Sequence, residues 1–381
     1  MPFPPLVAPA GDLSAAERAR YARHTRLAEL GEVGQQRLKA ARVLIVGAGG
    51  LGSPSATYLA AAGVGTIGII DDDVVELSNL HRQPLHSDPD LGRPKVHSAA
   101  DRLALVNPHV QVQIHRQRLS GESAQEVVAA YDLVVDGADN FATRYLVTDA
   151  CALAGIPHVW ASINTFAGQL SVWWAGRGPC YRCVFPQPPP PGSVASCAEA
   201  GVLGALPGVL GTLQASEAIK LITGIGEPAV GRLVLHDALA GSWDEVLVRA
   251  RADCALCGSA PTITEVREVA AGLGAGPVPL VGVEEAAELV GGRGVRVVDV
   301  REAGEFVEGR IEGSVHLPLR ELLSGAAEEQ LARWRESGDR VIVYCRAGGR
   351  SAQAVEYLLG EGVERAESLD GGIVAWLTRE D

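Results

Sequence analysis

The stretch VLIVGAGGLGS, residues 43–53, decides how this chain is to be read. Four consecutive apolar residues read as a buried strand that runs into a glycine turn and then a helix. Gly47, Gly49 and Gly52 stand at the spacing G-x-G-x-x-G. Glycines at that spacing let backbone N–H groups approach a phosphate at a helix N-terminus. A second strand-like run, TIGIID, ends in Asp71. That is about 20 residues on, where a carboxylate takes ribose hydroxyls. The pattern predicts a nucleotide site. By itself it does not separate a nicotinamide dinucleotide from ATP.

Around this stretch the chain alternates. PKVHSAADRLALV reads as a helix with proline at its start, and VQVQIHRQRL as a half-exposed strand. DLVVDGAD is strand-like, NFATRYLVTDACALAG helical and HVWASI strand-like again. This rhythm predicts an α/β fold with a parallel, Rossmann-like doubly wound sheet. Residues 1 to about 40 read as helical. FPQPPPPGSVASC, residues 185–197, carries five prolines without periodicity and reads as an extended, mobile loop. LPGVLGTLQASEAIKLITG resumes as a helix, and RLVLHDAL and WDEVLVR as strands. The expected domains are residues 1–270, a linker at 271–279, and a smaller α/β domain at 280–381.

The 381 residues are 47% hydrophobic, enough for two or three cores. A net charge of −13 argues against a nucleic-acid footprint. No segment has the form of a signal peptide or a membrane span, so a cytoplasmic protein is expected. Its seven cysteines are then expected to be reduced thiols and metal ligands rather than disulfides.

DDDVVELSNLHRQPLHSDPDLGRPKV, from Asp71, supplies Asn79, Arg82 and Lys95. A hydride-transfer site has no use for several cations beside its pyrophosphate. An adenylating site does, because negative charge grows on the α-phosphate and the departing pyrophosphate. Asp139, in DGADN, is a candidate magnesium ligand.

Cys151 sits inside an apolar helix and reads as a core residue, and the other six cysteines sort into three groups. Cys180 with Cys183 and Cys254 with Cys257 form two C-x-x-C pairs, a donor set for a closed structural zinc site. Cys197, on the proline-rich segment just before a helix, is a candidate reactive thiol. Cys345 ends the strand-like RVIVYC and opens the loop CRAGGR, which leads into a helix from Gly349. Amides of such a loop, around Gly348 and Gly349, can converge on the sulfur, and Arg346 and Arg350 add positive charge. Both sulfur transfer and phosphate-ester hydrolysis use a thiolate in such a loop.

GAGGLGS, DDDVVELSNLHRQ, GRPKV and DGADN resemble the ubiquitin-activating superfamily in its ThiF/MoeB branch, from about residue 20 to about 264. VRVVDVREAGEFVEGRIEGSVHLPL, CRAGGR and LDGGIVAWL resemble the rhodanese family, from about residue 280. Together they resemble fused adenylyltransferase–sulfurtransferases of the MoeZ type. The first resemblance implies ATP rather than NAD. It implies phosphate-loop roles for Gly47, Gly49, Gly50 and Gly52, ribose binding by Asp71, and triphosphate contacts from Ser78, Asn79, Arg82 and Lys95. Asp139 becomes the magnesium ligand with Asn140 beside it, and Arg23 reaches into a neighbouring subunit's ATP site, which implies a homodimer. A structural zinc on the four paired cysteines is implied too. So is Cys197 as the thiol that meets the acyl-adenylate or an acyl-disulfide. The second resemblance implies that Asp299 and Arg301 are a structural signature and that Cys345 carries a persulfide. Phosphatase relatives have a longer loop, so six residues favour sulfur transfer. The implied partners are a ubiquitin-like sulfur-carrier protein and a sulfur donor such as thiosulfate or a cysteine desulfurase. Two other readings stay open on the sequence. One is an activating enzyme for protein conjugation with a non-catalytic rhodanese-like domain, the other an NAD enzyme with a phosphatase-like domain.

Overall fold

In a computed structural model the described residues are 3–9, 11–189, 201–268, 278–346 and 348–379. They form two compact units, one built from the chain up to Pro188 and again from 201 to 268, the other from 278 onward. Cys197, Ala347 and residues 271–277 of the expected linker lie outside the described residues.

In the large unit the glycine stretch folds as its pattern requires. β1 (Arg42–Val46) is buried, and α3 (Gly52–Ala62) follows the turn directly. β2 (Thr66–Ile70), β3 (Gln111–His115), β4 (Leu133–Asp136) and β5 (His158–Asn164) complete a parallel set in the order β3-β2-β1-β4-β5. α4 (Lys95–Val106), α5 (Ala124–Ala129) and α6 (Phe141–Ala154) provide the crossovers. β1 sits at the centre with all neighbours in register, and Ile45 pairs with both Ile69 and Val135.

The sheet departs from the all-parallel expectation after β5. β6 (Ala167–Trp173), β7 (Arg232–Asp237) and β8 (Ser242–Leu247) continue it antiparallel, making eight strands. Only two residues, Thr165 and Phe166, join β5 to β6, far too few for a parallel crossover. Thr165 takes φ 50 to make that turn. β6 is a strand the sequence reading passed over. The helix expected after the proline-rich segment is present as α8 (Ala205–Thr223), which follows the short α7 (Tyr181–Val184). Gly211 of α8 lies so close to α3 that a Cβ there would stand 2.4 Å from the Leu51 carbonyl oxygen.

The N-terminal forty residues are not one helical run. α1 (Ala15–Arg20) starts at a capping box on Ser14 and α2 (Gly31–Ala40) follows after ten non-helical residues. Pro4, Pro5 and Pro9 keep the first residues out of helix, and Gly31 turns the chain at φ 58 as α2 begins.

The small unit has a parallel sheet in the order β11-β10-β12-β13-β9. Its strands are β9 (Leu280–Val281), β10 (Val295–Asp299), β11 (Val315–His316), β12 (Arg340–Tyr344) and β13 (Ala366–Leu369). The connecting helices are α9 (Val283–Leu289), α10 (Ala303–Glu308), α11 (Leu319–Leu323), α12 (Glu328–Ser337) and α13 (Gly349–Gly360), with α14 (Gly372–Thr378) last. At the end of β10 the buried Asp299 takes a forked pair of bonds from Arg301, at 2.9 and 2.7 Å. Arg301 also donates to the Gly309 carbonyl at 2.6 Å, so the pair fixes the α10 segment to the sheet. No helix among the described residues is long and apolar enough to cross a membrane.

Candidate functional site

In an open parallel sheet, ligands bind at the carboxyl ends of strands where the chain order reverses. Here that point lies between β1 and β4, and a cleft of about 260 Å³ opens there. Gly47, Gly49, Gly50, Asp71, Arg82, Lys95, Asp139 and Asn140 all line it. Gly52, Ser78 and Asn79 do not line it, and neither does Arg23.

The glycines divide by job. Gly47 sits at φ 85, and a Cβ on Gly52 would lie 1.8 Å from the Gly47 carbonyl oxygen. Those two shape the turn and press α3 onto β1. A Cβ on Gly49 would meet only the Gln83 amide, at 3.7 Å, so this glycine leaves open the space over the cleft. α3 begins without a side-chain cap; the Ser53 N–H bonds the Gly49 carbonyl at 2.9 Å and Pro54 has none, so an anion at this helix start would meet the amides of the turn before it.

The turn is clamped at one residue, Ala48. Asp71 accepts from the Ala48 N–H at 2.8 Å and from the Asp73 N–H at 2.8 Å. Burial pushes the Asp71 carboxyl up, while Lys95 and these amides pull it back. On the other side of that residue, the buried His86 bonds the Ala48 carbonyl through Nε2 at 3.0 Å and meets Ser98 Oγ through Nδ1 at 2.8 Å. A carbonyl can only accept, so Nε2 carries the proton and Nδ1 accepts from Ser98. Burial holds this imidazole below its ordinary pKa. His86 is a residue the sequence reading missed, because nothing in local spacing tells a buried ring from a loop histidine.

Several expected contacts are occupied within the chain. Lys95, buried at the start of α4, pairs with Asp73 at 2.7 Å. Arg82 donates to the Ser78 carbonyl at 2.8 Å. Asn79 accepts from the Glu76 N–H at 3.2 Å and closes a short turn at Leu77–Asn79. Asn140 caps α6 by accepting from the Thr143 N–H at 2.9 Å. Asp139 stands exposed beside Asn140. Arg23 is exposed in a separate depression with Arg20, His24, Tyr58, Thr212 and Ser216.

Two buried polar atoms on the cleft wall lack hydrogen-bond partners: Gln83 Oε1 and Arg144 Nε. Buried polar groups are ordinarily paired, so these fit a polar ligand in the cleft. Behind the wall, Gln214 of α8 donates to the carbonyls of Asp136 and Val159 at 2.7 and 3.1 Å. It satisfies one carbonyl at the end of β4 and one near the start of β5. Arg144 and Gln214 carried no motif signal in the sequence.

The four paired cysteines come together although more than seventy residues separate the pairs. The Sγ separations are 3.8 Å (Cys180–Cys183), 3.6 Å (Cys180–Cys254), 3.4 Å (Cys183–Cys257) and 3.3 Å (Cys180–Cys257). A tetrahedral zinc bound at ~2.3 Å holds its sulfurs ~3.8 Å apart, so the set fits. Burial and the neighbouring sulfurs push the Cys180 thiol up. A divalent cation reverses that cost, since a coordinating thiol gives up its proton. Between the pair, Arg182 makes a buried two-pronged bond to Asp149 of α6 at 2.6 and 2.8 Å.

In the small unit Cys345 is buried at the end of β12, and its sulfur accepts from the Gly348 N–H at 3.1 Å. The Cys345 carbonyl points the other way, accepting from the Ile373 N–H at 2.8 Å. A trans peptide then turns the Arg346 N–H opposite to that carbonyl. A Cβ on Gly372 would lie 2.6 Å from the Cys345 carbonyl oxygen, so LDGG is shaped to the loop. Arg346 is exposed. Arg350 bonds Glu305 at 2.7 and 2.8 Å, and Arg350 holds the Glu305 carboxyl down at about 2.

Comparison with known proteins agrees with both halves. Residues 21–257 match the ThiF family and residues 282–379 the rhodanese-like domain. A protein of Mycobacterium tuberculosis, "Probable adenylyltransferase/sulfurtransferase MoeZ", is 45% identical over 98% of this chain and 96% of its own. "Adenylyltransferase and sulfurtransferase MOCS3" of Mus musculus is 42% identical over 99% and 89%. "Sulfur carrier protein adenylyltransferase" of Thermus thermophilus is 50% identical over 66% of this chain and 94% of its own. Among solved structures, E. coli MccB with MccA-N7isoASN shares the fold at 24% identity and a TM-score of 0.57, over 65% of this chain and 76% of that one. The chain belongs to the ThiF family, an ATP-binding family, and carries a rhodanese-like domain at its C-terminal end.

Proposed function

We propose that this protein activates the C-terminal glycine of a ubiquitin-like sulfur carrier with ATP and then turns it into a thiocarboxylate. The observation that carries the reading is the cleft. It combines an uncapped helix start, two cations, an exposed acid and two unpartnered buried polar atoms. The names of the relatives from Mycobacterium, mouse and Thermus support both the adenylation and the sulfur step.

In the first step a carrier carboxylate oxygen attacks the α-phosphorus of ATP. The bond to the bridging oxygen breaks, and pyrophosphate leaves with the electron pair. The amides of Gly49 and Gly50 and the charges of Arg82 and Lys95 offset the growing negative charge. Lys95 exchanges Asp73 for phosphate in doing so. Asp71 takes the ribose hydroxyls through its remaining lone pairs. Asp139 would hold magnesium, which screens the phosphate oxygens. In a homodimer Arg23 would complete the site of the neighbouring subunit.

In the second step Cys345 carries a persulfide taken from thiosulfate or a desulfurase. Its outer sulfur attacks the acyl carbon and AMP leaves, giving an acyl disulfide. A second thiol, Cys197 in this account, attacks the Cys345 sulfur. The thiocarboxylate departs and a Cys197–Cys345 disulfide remains, which an external dithiol reductant returns to two thiols by thiol–disulfide exchange before the next turnover. The four paired cysteines would hold a structural zinc. The chemistry suits a cytoplasmic enzyme. Carrier-dependent exchange of labelled pyrophosphate into ATP tests the first step. Exchange should require the carrier's terminal glycine, and its absence with every ubiquitin-like protein of the organism would refute the reading.

A further inference from the structure

Two serines beneath the sulfur loop are fully buried in an otherwise apolar core. Ser351 lies in the first turn of α13 and Ser368 in β13, at 0% and 1% exposure. Ser368 Oγ donates to Ser351 Oγ at 2.8 Å. Ser351 Oγ stands 3.0 Å from the Gly348 carbonyl oxygen and 3.5 Å from Cys345 Sγ. A hydroxyl has one proton to give. Because Ser368 fills an acceptor position on Ser351, the Ser351 proton is directed forward, to the carbonyl or to the sulfur. While the sulfur is neutral, the nearer carbonyl holds that proton. Once the sulfur is anionic, the stronger bond is to the sulfur.

We propose that Ser368 and Ser351 form a two-hydroxyl relay that stabilises the anionic sulfur of Cys345. Ser351 touches the reacting atom, and Ser368 is a positioning residue that acts through it. The inference rests on the reading of Cys345 as the sulfur-bearing residue. It differs from plain mutual satisfaction of two buried hydroxyls. In that case replacing both by alanine is nearly neutral and leaves the sulfur unaffected. The charged groups around the loop are Arg346, Arg350 with Glu305 of α10, and the Asp299–Arg301 pair at the end of β10. None is altered by the substitutions that follow.

The test is the pH profile of alkylation at Cys345 in the full-length protein, read by mass on the Cys345 peptide. In Ser351→Ala the midpoint should move up by about one unit, the worth of one hydrogen bond to a charged group. Ser368→Ala should move it up by part of that. The double variant should move no further than Ser351→Ala, because Ser368 has no other route to the sulfur. Shifts that add in the double variant, or a Ser368→Ala profile that overlays the wild type, would overturn the relay. Should alanine at 368 prevent folding, the isosteres Ser368→Thr and Ser368→Val make the same comparison. Only the valine should move the midpoint, and equal profiles would overturn the relay. Persulfide formation on wild-type Cys345 with thiosulfate, read on the same peptide, tests the underlying reading separately. Its absence refutes the sulfur-carrying role, whereas persulfide with unshifted variants refutes the relay alone.

Discussion

At the scale of the residue, the cleft separates groups available to a ligand from groups that hold the cleft. Asp139 is exposed, with Asn140 beside it, whereas Asn79 and Asn140 close a turn and cap a helix. Asp139→Ala should therefore lower carrier-dependent pyrophosphate exchange by about 100-fold or more while leaving thiosulfate-to-cyanide sulfur transfer intact. Parallel assays of the two reactions check this. His86 yields a pH prediction. Its folded-state pKa lies below the ordinary 6.5 because it is buried, so the unfolded chain takes up the proton first. The stability it contributes is present above pH 6.5 and is lost as pH falls from there toward the folded value. Thermal melts on either side of pH 6.5 should show a steeper acid-side fall for wild type than for His86→Gln. That variant keeps an N–H donor for the Ala48 carbonyl but does not titrate. Equal slopes would contradict the role.

At the scale of the element, G-x-G-x-x-G was legible because two of its glycines answer hard steric demands at the β1–α3 turn. Asp71 was legible for the same reason, since strand ends fall at fixed spacing in such a sheet. β6 was not. Its direction is set by a two-residue turn, and one of its two pairing partners, β7, is remote in the chain. Gln214, His86 and Arg144 were equally hidden. Each is defined by what it touches, and those partners lie 12 to 159 residues away. The cysteine cluster lies between these cases, since donor type and pairing were visible and the long separation was not informative. One zinc per chain is expected by elemental analysis of tag-free protein. Cys254→Ser should cost about 2 kcal/mol or more in unfolding free energy and leave exchange per folded molecule nearly unchanged. Zinc-free protein of wild-type stability would contradict the assignment.

At the scale of the whole molecule, the account joins two chemistries that each unit supports by itself. The cleft of the large unit holds every group invoked for adenylation save one, Arg23, which faces a depression of its own in the same unit. That separation motivates the shared site. Mixing Arg23→Ala chains with Lys95→Ala chains should restore part of the exchange activity, since some heterodimer sites carry both wild-type residues. No restoration in verified heterodimers would exclude it. Joining the sulfur loop and the activating unit in one chain raises the local concentration of persulfide above that of two separate proteins. The most direct measurement of the central claim is the mass of a carrier protein incubated with ATP, magnesium and thiosulfate. With wild-type protein the carrier should exchange one carboxylate oxygen for sulfur. With Cys345→Ala it should not, although pyrophosphate exchange continues at the wild-type rate. Thiocarboxylate formed from thiosulfate by Cys345→Ala at the wild-type rate would contradict the account.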